Sequence, residues 1–484
     1  MHVSDIKKFL RCKRLYKLSS EDQNSKPFPF YNICTDINES IKNKLHIDNY
    51  VSGIVNESNE DTFAKMDQYN WIFNGRFEYN GLRVKIPLLH IIDKNKFDLY
   101  YICCSIHLNE EEFINITASK YVLKNLNCKI NNIYMIYLNK DYIRDEILDD
   151  EQLWIVTDTI EKECGTKKIK DCLKKYSYDF DDLLNKMNNY QLEVANQRQQ
   201  NCSGKKRCKY YEECFPDKVV TEDNSIMTLV SSRFKEKMYD MGIRYLKDAD
   251  LNLIEANRVQ YSQIMADKLG GLFVDQFALA GWLNNFKYPL SFLDFEWDLY
   301  PIPPYKMMKP MDVLLFQYSL HIYDGNELQH FEYIGENDDR QQLLESLLNA
   351  IPDEGSVLAY NATGAEKLRL KELAEYFPQY SSKINSILDR MVDIALPFIT
   401  GVVYDVRMRG NFTLKTIENM IDEEHSYDDL TVGNGMQAVE IHRLMEKTTE
   451  QEKQNYYNQL YDYCGLDSYS LYKLYLWLDK ISNR

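Results

Sequence analysis

Hydrophobic and polar residues alternate most clearly in the second half of the chain. Residues 290–297, Leu-Ser-Phe-Leu-Asp-Phe-Glu-Trp, predict a strand whose two acidic residues share one face. Residues 313–323 and 356–361 predict two further strands, and residues 365–376 and 467–480 predict helices. Because strands and helices follow one another, this half is predicted to be an α/β domain with a mixed sheet and flanking helices.

The first half of the chain has a different pattern. A helix is predicted from Ser4 through Leu18, and short strands separated by turn residues are predicted between Trp71 and Leu108 and again at residues 132–138. Residues 222–286 are predicted to be helical throughout, with a turn at residues 241–243. These changes predict three parts within an α/β chain: an N-terminal domain at 1–220, a helical connector at 221–287 and a C-terminal domain at 288–484.

Composition narrows the function classes. The 484 residues are 44% hydrophobic and 27% charged, which is typical of a folded globular protein. The net charge of −16 argues against a protein that coats nucleic acid indiscriminately. No signal sequence is predicted, because residues 1–10 lack a continuous apolar stretch. No membrane span is predicted, because the most apolar stretch, residues 272–283, is interrupted by Asp275 and Gln276. With an odd count of 11 cysteines, we expect a cytoplasmic protein without a membrane partner.

Asp294 and Glu296 are the most informative pair in the chain. On a strand, residues two apart point to the same face at a spacing of roughly 7 Å. Two carboxylates held together in this way repel each other unless a cation lies between them. For an isolated Asp-x-Glu, a solvated acidic strand face is the more frequent explanation, so further acidic motifs are needed.

Two further motifs supply acidic residues. Tyr463 and Asp467 are four residues apart, which places them on one face of a helix. Asn361 ends a predicted strand, and Glu366 follows it in the first turn of the next predicted helix, where an acidic residue is favourable.

Together these three motifs resemble those of the DnaQ-like (DEDD) 3′–5′ exonucleases, which have a ribonuclease H-like fold. The resemblance covers roughly residues 288–484. The surrounding sequence is similar to the bacterial family known as domain of unknown function 2779. The segments that carry this second resemblance are 288–296, 316–321, 371–378, 392–393 and 463–467.

The resemblance implies hydrolysis of phosphodiester bonds with two divalent ions, Mg²⁺ or Mn²⁺. It implies that Asp294, Glu296, Glu366 and Asp467 are the metal ligands. It also implies that Tyr463 orients the attacking water.

Three details qualify this comparison. The variant of the exonuclease family with a histidine in place of the tyrosine would need His at position 462, where this chain has Asp462, so only the tyrosine type fits. The family places its second acidic residue four positions after the asparagine, whereas Glu366 is five after Asn361, and a turn at 363–365 can absorb the extra residue. Asn361 and Asp393 are candidates for supporting the ligands from behind; the alternative for Asp393 is a helix-end residue without a catalytic role.

The first half of the chain resembles a RecB-type PD-(D/E)xK nuclease domain. In this alignment the family's metal-binding and catalytic positions fall on Pro87, Tyr101, Cys103 and Ser119. None of these side chains supplies the anionic oxygen that Mg²⁺ requires, so we predict a catalytically inactive domain. The alternative is a different register in which Asp93 or Asp98 serves.

A regular cysteine spacing lies at the end of this half. Cys202, Cys208 and Cys214 are separated by five residues each. RecB-type nucleases with an iron–sulfur cluster take one further cysteine from the N-terminal helix, and Cys12 fits that position. The resemblance therefore implies a [4Fe–4S] cluster, with Zn²⁺ as the alternative. The remaining alternative is a coincidental spacing in a cysteine-rich chain.

These expectations lead to one main hypothesis and two alternatives. The main hypothesis is a metal-dependent 3′–5′ exonuclease that acts on DNA or RNA, with the N-terminal domain gripping the nucleic acid strand. The first alternative is a catalytically inactive module for nucleic-acid binding or assembly, in which both nuclease folds are vestigial. The second is an iron–sulfur redox sensor that controls a partner.

Overall fold

The computed structural model describes residues 1–22, 37–107, 112–160, 167–192, 208–214, 218–421, 430–445 and 447–482. Both parts of the chain combine sheets with helices, so the α/β prediction is confirmed. The chain divides into two compact units, each made of two segments. The first unit is 1–214 with 299–312, and the second unit is 215–298 with 313–484. Residues 221–287 therefore belong to the second unit.

The first unit contains a six-stranded mixed sheet. Its order is β1-β2-β3-β4-β5-β6. The elements, in chain order, are α1 (Val3–Arg11), α2 (Lys13–Glu21), α3 (Ile37–Leu45), β1 (Tyr50–Ser52), α4 (Asn59–Met66), β2 (Trp71–Tyr79), β3 (Leu82–Asp93), β4 (Lys96–Cys103), α5 (Phe113–Asn125), β5 (Lys129–Leu138), α6 (Asp150–Leu153), β6 (Trp154–Thr157), β7 (Thr159–Ile160), β8 (Lys167–Lys168), α7 (Ile169–Cys172) and α8 (Phe180–Asn188).

Strands β2, β3 and β4 are antiparallel neighbours, and α5 then crosses over to the parallel strand β5. Leu82, Val84 and Ile86 alternate with more exposed residues along β3 and point into the core beneath α5. This core consists mostly of aliphatic and aromatic side chains, which accounts for the strand patterns in the sequence.

The predicted first helix is interrupted. Helix α1 begins at Val3, after His2, and not at a cap formed by Ser4. It ends at Arg11, and Cys12 has extended backbone (φ −164°, ψ 121°) before α2 begins at Lys13. The single predicted helix is therefore two short helices that meet at Cys12.

The second unit contains a five-stranded sheet of order β12-β11-β10-β13-β14. Its elements are α9 (Lys235–Asp240), α10 (Arg258–Lys268), β9 (Leu272–Val274), α11 (Gln276–Leu283), β10 (Leu290–Tyr300), β11 (Asp312–Tyr323), β12 (Leu328–Ile334), α12 (Arg340–Ala350), β13 (Val357–Ala359), α13 (Glu366–Tyr376), α14 (Ser381–Asp389), β14 (Met391–Asp393), α15 (Leu396–Ile399), β15 (Val403–Asp405), α16 (Leu414–Ile421), α17 (Gly435–Met445) and α18 (Glu450–Ser482).

Two hydrophobic cores cover the faces of this sheet. Leu293 and Phe295 of β10 pack in one core with leucines and isoleucines of α12, α13 and α14. Phe292 and Leu358 pack in the other core with Leu471 and Leu474 of α18. The face of β10 on the α18 side carries the acidic residues, so α18 is the element that closes the candidate site.

The prediction that residues 222–286 are helical apart from a turn at 241–243 is wrong in part, because α9, α10 and α11 are separated by turns and short 3₁₀ helices, and one segment is a strand. Leu272–Val274 form β9, which pairs antiparallel with β15. Gly270 and Gly271, both with positive φ, follow α10 and allow the chain to leave the helical conformation. Among the described residues, no helix is long and apolar enough to cross a membrane.

Candidate metal centre

Strand β10 supplies the first two carboxylates. Asp294 and Glu296 lie on the face of the sheet opposite Leu293 and Phe295, as the alternation predicts. Glu296 is only 8% exposed, whereas Asp294 is partly open to solvent. The strand therefore carries two acidic side chains into a largely buried space.

Helix α18 supplies the third carboxylate. Carboxylate oxygens of Asp294, Glu296 and Asp467 all lie within 4.8 Å of one another. Tyr463 lies one helical turn before Asp467 and is also buried. The four-residue spacing of the sequence motif thus directs a phenol and a carboxylate toward the same acidic pair.

Glu366 lies beside this group but outside the set of mutually close oxygens. It is the first residue of α13, is 3% exposed, and its Oε2 atom has no hydrogen-bond partner among the described residues. Its charge is close enough to raise the pKa of both Asp294 and Glu296. Glu366 is therefore next to the acidic group, with one oxygen available for a ligand.

The turn before α13 accommodates the extra residue of the second motif. Asn361 has positive φ (52°), and its carbonyl accepts hydrogen bonds from the backbone N–H groups of Gly364 and Ala365. A Cβ atom on Gly364 would lie 2.9 Å from the Asn361 side chain. A larger residue at position 364 would displace the Asn361 side chain, and the turn starts α13 with Glu366 beside the acidic group.

Asp393 supports that turn. Its Oδ1 atom accepts hydrogen bonds from the backbone N–H groups of Asn361 and Ala395, both at 3.0 Å. The carboxylate therefore joins the end of β14 to the turn that precedes Glu366. Asn361 contributes to the site through its backbone.

Burial and mutual repulsion perturb these groups strongly. Burial, followed by the charges of Asp467 and Glu366, raises the pKa of Asp294 and of Glu296 well above the usual range. Burial is also the main cause that raises the pKa of Glu366 to about 8, and the nearby Arg369 lowers it in part. Burial and Asp467 raise the pKa of Tyr463, so its phenol stays protonated.

Bound protons or a bound cation would relieve this repulsion. The donor atoms are carboxylate oxygens at short mutual distances, with one oxygen of Glu366 unpaired among the described residues. Such hard oxygen donors fit Mg²⁺ or Mn²⁺.

Sequence reasoning missed three neighbours of the site. The Cys464 thiol, fully buried on α18, donates a hydrogen bond to Oδ2 of Asp294 at 3.5 Å. A Cβ atom on Gly435, the first residue of α17, would lie 3.3 Å from Oε2 of Glu296. Asp298 is the third acidic residue on this face of β10, and Arg443 binds both of its oxygens at 2.6 Å. The i, i+2, i+4 spacing of the three acids was the available signal for Asp298.

A buried polar network holds α18 against the sheet. The Ser468 hydroxyl, next to Asp467 in sequence, hydrogen-bonds with the Ser319 hydroxyl at 2.7 Å and with Nδ1 of His321 at 2.8 Å. The side-chain amide of Gln317 donates to the carbonyl of Leu460 at 2.9 Å. These bonds from β11 fix the position of α18, and therefore of Asp467, relative to β10.

The corresponding positions of the first unit are packed with uncharged side chains. Tyr101 of β4 is 2% exposed and Ser119 of α5 is 1% exposed, with their side chains next to each other. Cys103 is buried too, and Pro87 lies on the neighbouring strand β3, beside the pair formed by Leu88 and Tyr100. Burial raises the pKa of Tyr101, so its phenol stays neutral.

The two acidic residues considered as alternatives lie elsewhere. Asp98 is three residues from Tyr101 on β4 and so points to the other face. Its Oδ1 atom accepts hydrogen bonds from the side chain of Asn131 at 2.9 Å and the backbone of Asn132 at 2.8 Å. Asp93 lies at the exposed end of β3. Neither residue belongs to a group of three or more close acidic, histidine or cysteine side chains among the described residues.

The predicted cysteine site is only partly described. Cys202 lies outside the described residues, whereas Cys12, Cys208 and Cys214 lie within them. Arg14 lies two residues after Cys12. Its Nε atom donates a hydrogen bond to Sγ of Cys214 at 3.4 Å. The three described cysteines do not form a group in which all three Sγ atoms lie within 4.8 Å of one another. The iron–sulfur cluster, or Zn²⁺, stays a prediction.

Comparison with known families adds one match. Residues 291–413 match the family model described as "Domain of unknown function (DUF2779)", which supports the resemblance found in the sequence. The matched stretch includes Asp294, Glu296 and Glu366 and ends before Tyr463 and Asp467. No curated protein and no solved structure matches the chain.

Proposed function

We propose that the protein is a metal-dependent nuclease, a 3′–5′ exonuclease that hydrolyses phosphodiester bonds of DNA or RNA. The convergence of Asp294, Glu296 and Asp467 supports this proposal most strongly, because these acids come from β10 and from the distant helix α18. Structural ion pairs would bring in basic partners, but the strongest charge effects on Asp294 come from other acidic groups. Such a self-repelling cluster is typical of a site that binds cations.

The proposed roles follow from the chemistry of each side chain. Asp294, Glu296 and Asp467 would hold divalent ions, with Glu366 completing the ligand set. When bound, a pair of such ions supplies a hydroxide nucleophile and stabilises the departing oxygen. Tyr463, protonated because its pKa is raised, would donate a hydrogen bond that orients the attacking water. Cys464 and Asp393 would position Asp294 and the Glu366 turn.

In this proposal the first unit is a degenerate RecB-like domain. In the alignment with RecB-type nucleases, the buried, neutral Tyr101 stands at a position where a nuclease would need an acidic group, and the buried Ser119 stands where the family has a glutamine. The domain would bind the nucleic acid strand without cleaving it.

A nuclease panel tests the proposal. Single- and double-stranded DNA and RNA, labelled at either end, are incubated with Mg²⁺ or Mn²⁺ and with EDTA. We expect metal-dependent loss of nucleotides from the 3′ end, abolished by Asp294→Ala combined with Asp467→Ala. Glu327→Gln is the matched control, because Glu327 is an exposed acid of the same unit before β12. Activity that survives the double substitution would eliminate the mechanism.

One observation favours the alternative of an inactive binding or assembly module. Glu296, Glu366 and Asp467 are all nearly buried, and Gly435 of α17 lies directly against Glu296. A site closed in this way could retain its acids without turnover. Binding of an oligonucleotide, with no cleavage under any divalent metal, would favour this alternative.

A further inference from the structure

The first unit contains a small cavity lined by more basic than acidic side chains. It has a volume of about 140 Å³ and lies between the loop after β1 and the ends of β2 and β3. Its charged lining residues are Arg76, Arg83, Lys85, Glu57 and Glu78. This excess of positive charge occurs in a chain whose net charge is −16.

The two acidic residues of the cavity are already paired. Glu57 forms an ion pair with Lys65, and its Oε2 atom also accepts a hydrogen bond from the backbone of Ile54 at 3.2 Å. Glu78 forms an ion pair with Arg83. These contacts leave Arg76 and Lys85 without an acidic partner among the described residues.

Arg76 and Lys85 face each other directly across the antiparallel pair β2–β3. Like charges at opposed positions of two strands destabilise the pair. The Nε atom of Arg76 is buried and has no hydrogen-bond partner among the described residues. A buried guanidinium nitrogen without a partner is costly, and an anion between the two cations would satisfy it.

The loop beside the cavity is unusually apolar for an exposed segment. Ile54 is 66% exposed and Val55 is 74% exposed, and Val55 lines the cavity itself. A ligand that fits both features carries an anionic group next to an apolar surface. A nucleotide, with its phosphate and its base, has this combination.

We propose that this cavity is a phosphate subsite, in which Arg76 and Lys85 bind the phosphate of a nucleotide and Val55 contacts its base. The planar guanidinium of Arg76 can donate two parallel hydrogen bonds to a phosphate, and the Lys85 ammonium adds a point charge. The subsite lies entirely within the first unit and does not depend on the acidic cluster. Its ligand is either a phosphate of a nucleic acid chain or a small free phosphate compound.

Two binding experiments in EDTA test the subsite, so that divalent ions play no part. The first measures the affinity of the full chain for a fluorescein-labelled oligothymidylate as a function of salt. We expect Arg76→Gln to weaken binding about tenfold and to lower the salt slope by about one. The second measures the melting temperature with and without inorganic phosphate.

The outcomes distinguish the two sources of phosphate. Weaker oligothymidylate binding by Arg76→Gln, with no effect of inorganic phosphate on the wild type, supports a nucleic acid chain as the ligand. A phosphate-dependent rise in melting temperature that is present in the wild type and absent in Arg76→Gln supports a free phosphate compound. If neither property differs between wild type and Arg76→Gln, the subsite is wrong.

Two further variants guard against misfolding and against a general charge effect. Arg76→Gln should melt at or above the wild-type temperature without ligand, because it removes a repulsion, and Arg76→Lys should restore the salt slope. Lys94→Gln removes an exposed charge at the far end of β3 and should bind as the wild type does. An equal loss of binding in Lys94→Gln would attribute the effect to overall charge and overturn the subsite.

Discussion

The two units place different chemistry at their predicted nuclease positions. In the second unit, acidic side chains from β10 and α18 converge, and their charges raise one another's pKa. In the first unit, Tyr101, Cys103 and Ser119 fill the predicted positions with neutral, buried groups. The acidic cluster of the second unit is costly to fold without protons or cations, whereas the neutral side chains of the first unit form an ordinary packed core. Burial alone therefore says little about function; the chemistry of the buried groups distinguishes the two regions.

The largest expected effect comes from placing an acid in the first unit. Tyr101→Glu puts a carboxyl group into a buried site near the charge of Glu112, and we expect the free energy of unfolding to fall by about 4 kcal/mol or more. Urea denaturation followed by circular dichroism measures this loss. Tyr79→Glu, at a position of the same sheet that is 36% exposed, should change stability much less. If Tyr101→Glu were as stable as wild type and gained Mn²⁺ binding, this part of the first unit would not be an ordinary packed core.

The second effect concerns pH. The pKa of Glu366 is about 8 in the folded protein, compared with an ordinary value of 4.5, so the folded state binds more protons than the unfolded state between these values. Without metal, stability should therefore fall as the pH rises from about 4.5 to about 8, by on the order of 3 kcal/mol.

Melting temperatures in EDTA across this pH range measure the slope. Glu366→Gln should make this slope shallower, because the amide does not titrate, whereas Asp294 and Glu296, whose pKa values are also raised, still contribute to it. Glu375→Gln, an exposed position on the same helix, should keep it. An unchanged slope in Glu366→Gln would show that this carboxyl group titrates normally.

The third effect concerns metal. Mn²⁺ at a hundred times its dissociation constant should stabilise the second unit by about 2.7 kcal/mol, which calorimetry detects as a rise in melting temperature. Asp294→Asn combined with Asp467→Asn should abolish this rise while increasing stability in EDTA, because two repelling charges are removed. The same rise in the double variant would place Mn²⁺ elsewhere.

The smallest effect concerns Gly435. Alanine favours helix over glycine by roughly 0.5–1 kcal/mol, so Gly435→Ala should leave the fold intact or stabilise it slightly. Its methyl group would press on Glu296 and should weaken Mn²⁺ binding a few-fold. Gly281→Ala, in the open interior of α11, should stabilise without affecting metal. Unchanged Mn²⁺ affinity in Gly435→Ala would show that α17 can move away from Glu296 to accommodate the methyl group.

In the second unit, the local sequence pattern predicted which faces carry the acidic residues. It did not predict the contacts by which distant segments close the site. The alternation around Asp294 and Glu296, and the helical spacing of Tyr463 and Asp467, depend on neighbours a few residues away. The contact of Gly435 with Glu296 depends on how distant segments pack, which the spacing of residues does not encode. Asp298 illustrates both cases: its face follows from the strand, but its pairing with Arg443 does not.

The same distinction explains the errors at residues 272–274 and at Cys12. Residues 272–274 were predicted to be helical, but their pairing with β15 is a long-range contact, and Gly270 and Gly271 were the available local signal. The break at Cys12 separates two segments that each have helical pattern.

The discontinuity of the first unit has a consequence for cutting the chain. Residues 299–312 follow the acidic segment of β10, yet Ile302 and Met311 pack in the core of the first unit. Arg144 donates a hydrogen bond to the carbonyl of Pro303 at 2.8 Å. A fragment that stops at residue 214 would lose these partners and expose apolar core. To produce the two units separately, residues 299–312 would have to be attached to the N-terminal fragment. In the other fragment, a short linker would have to join residues 298 and 313.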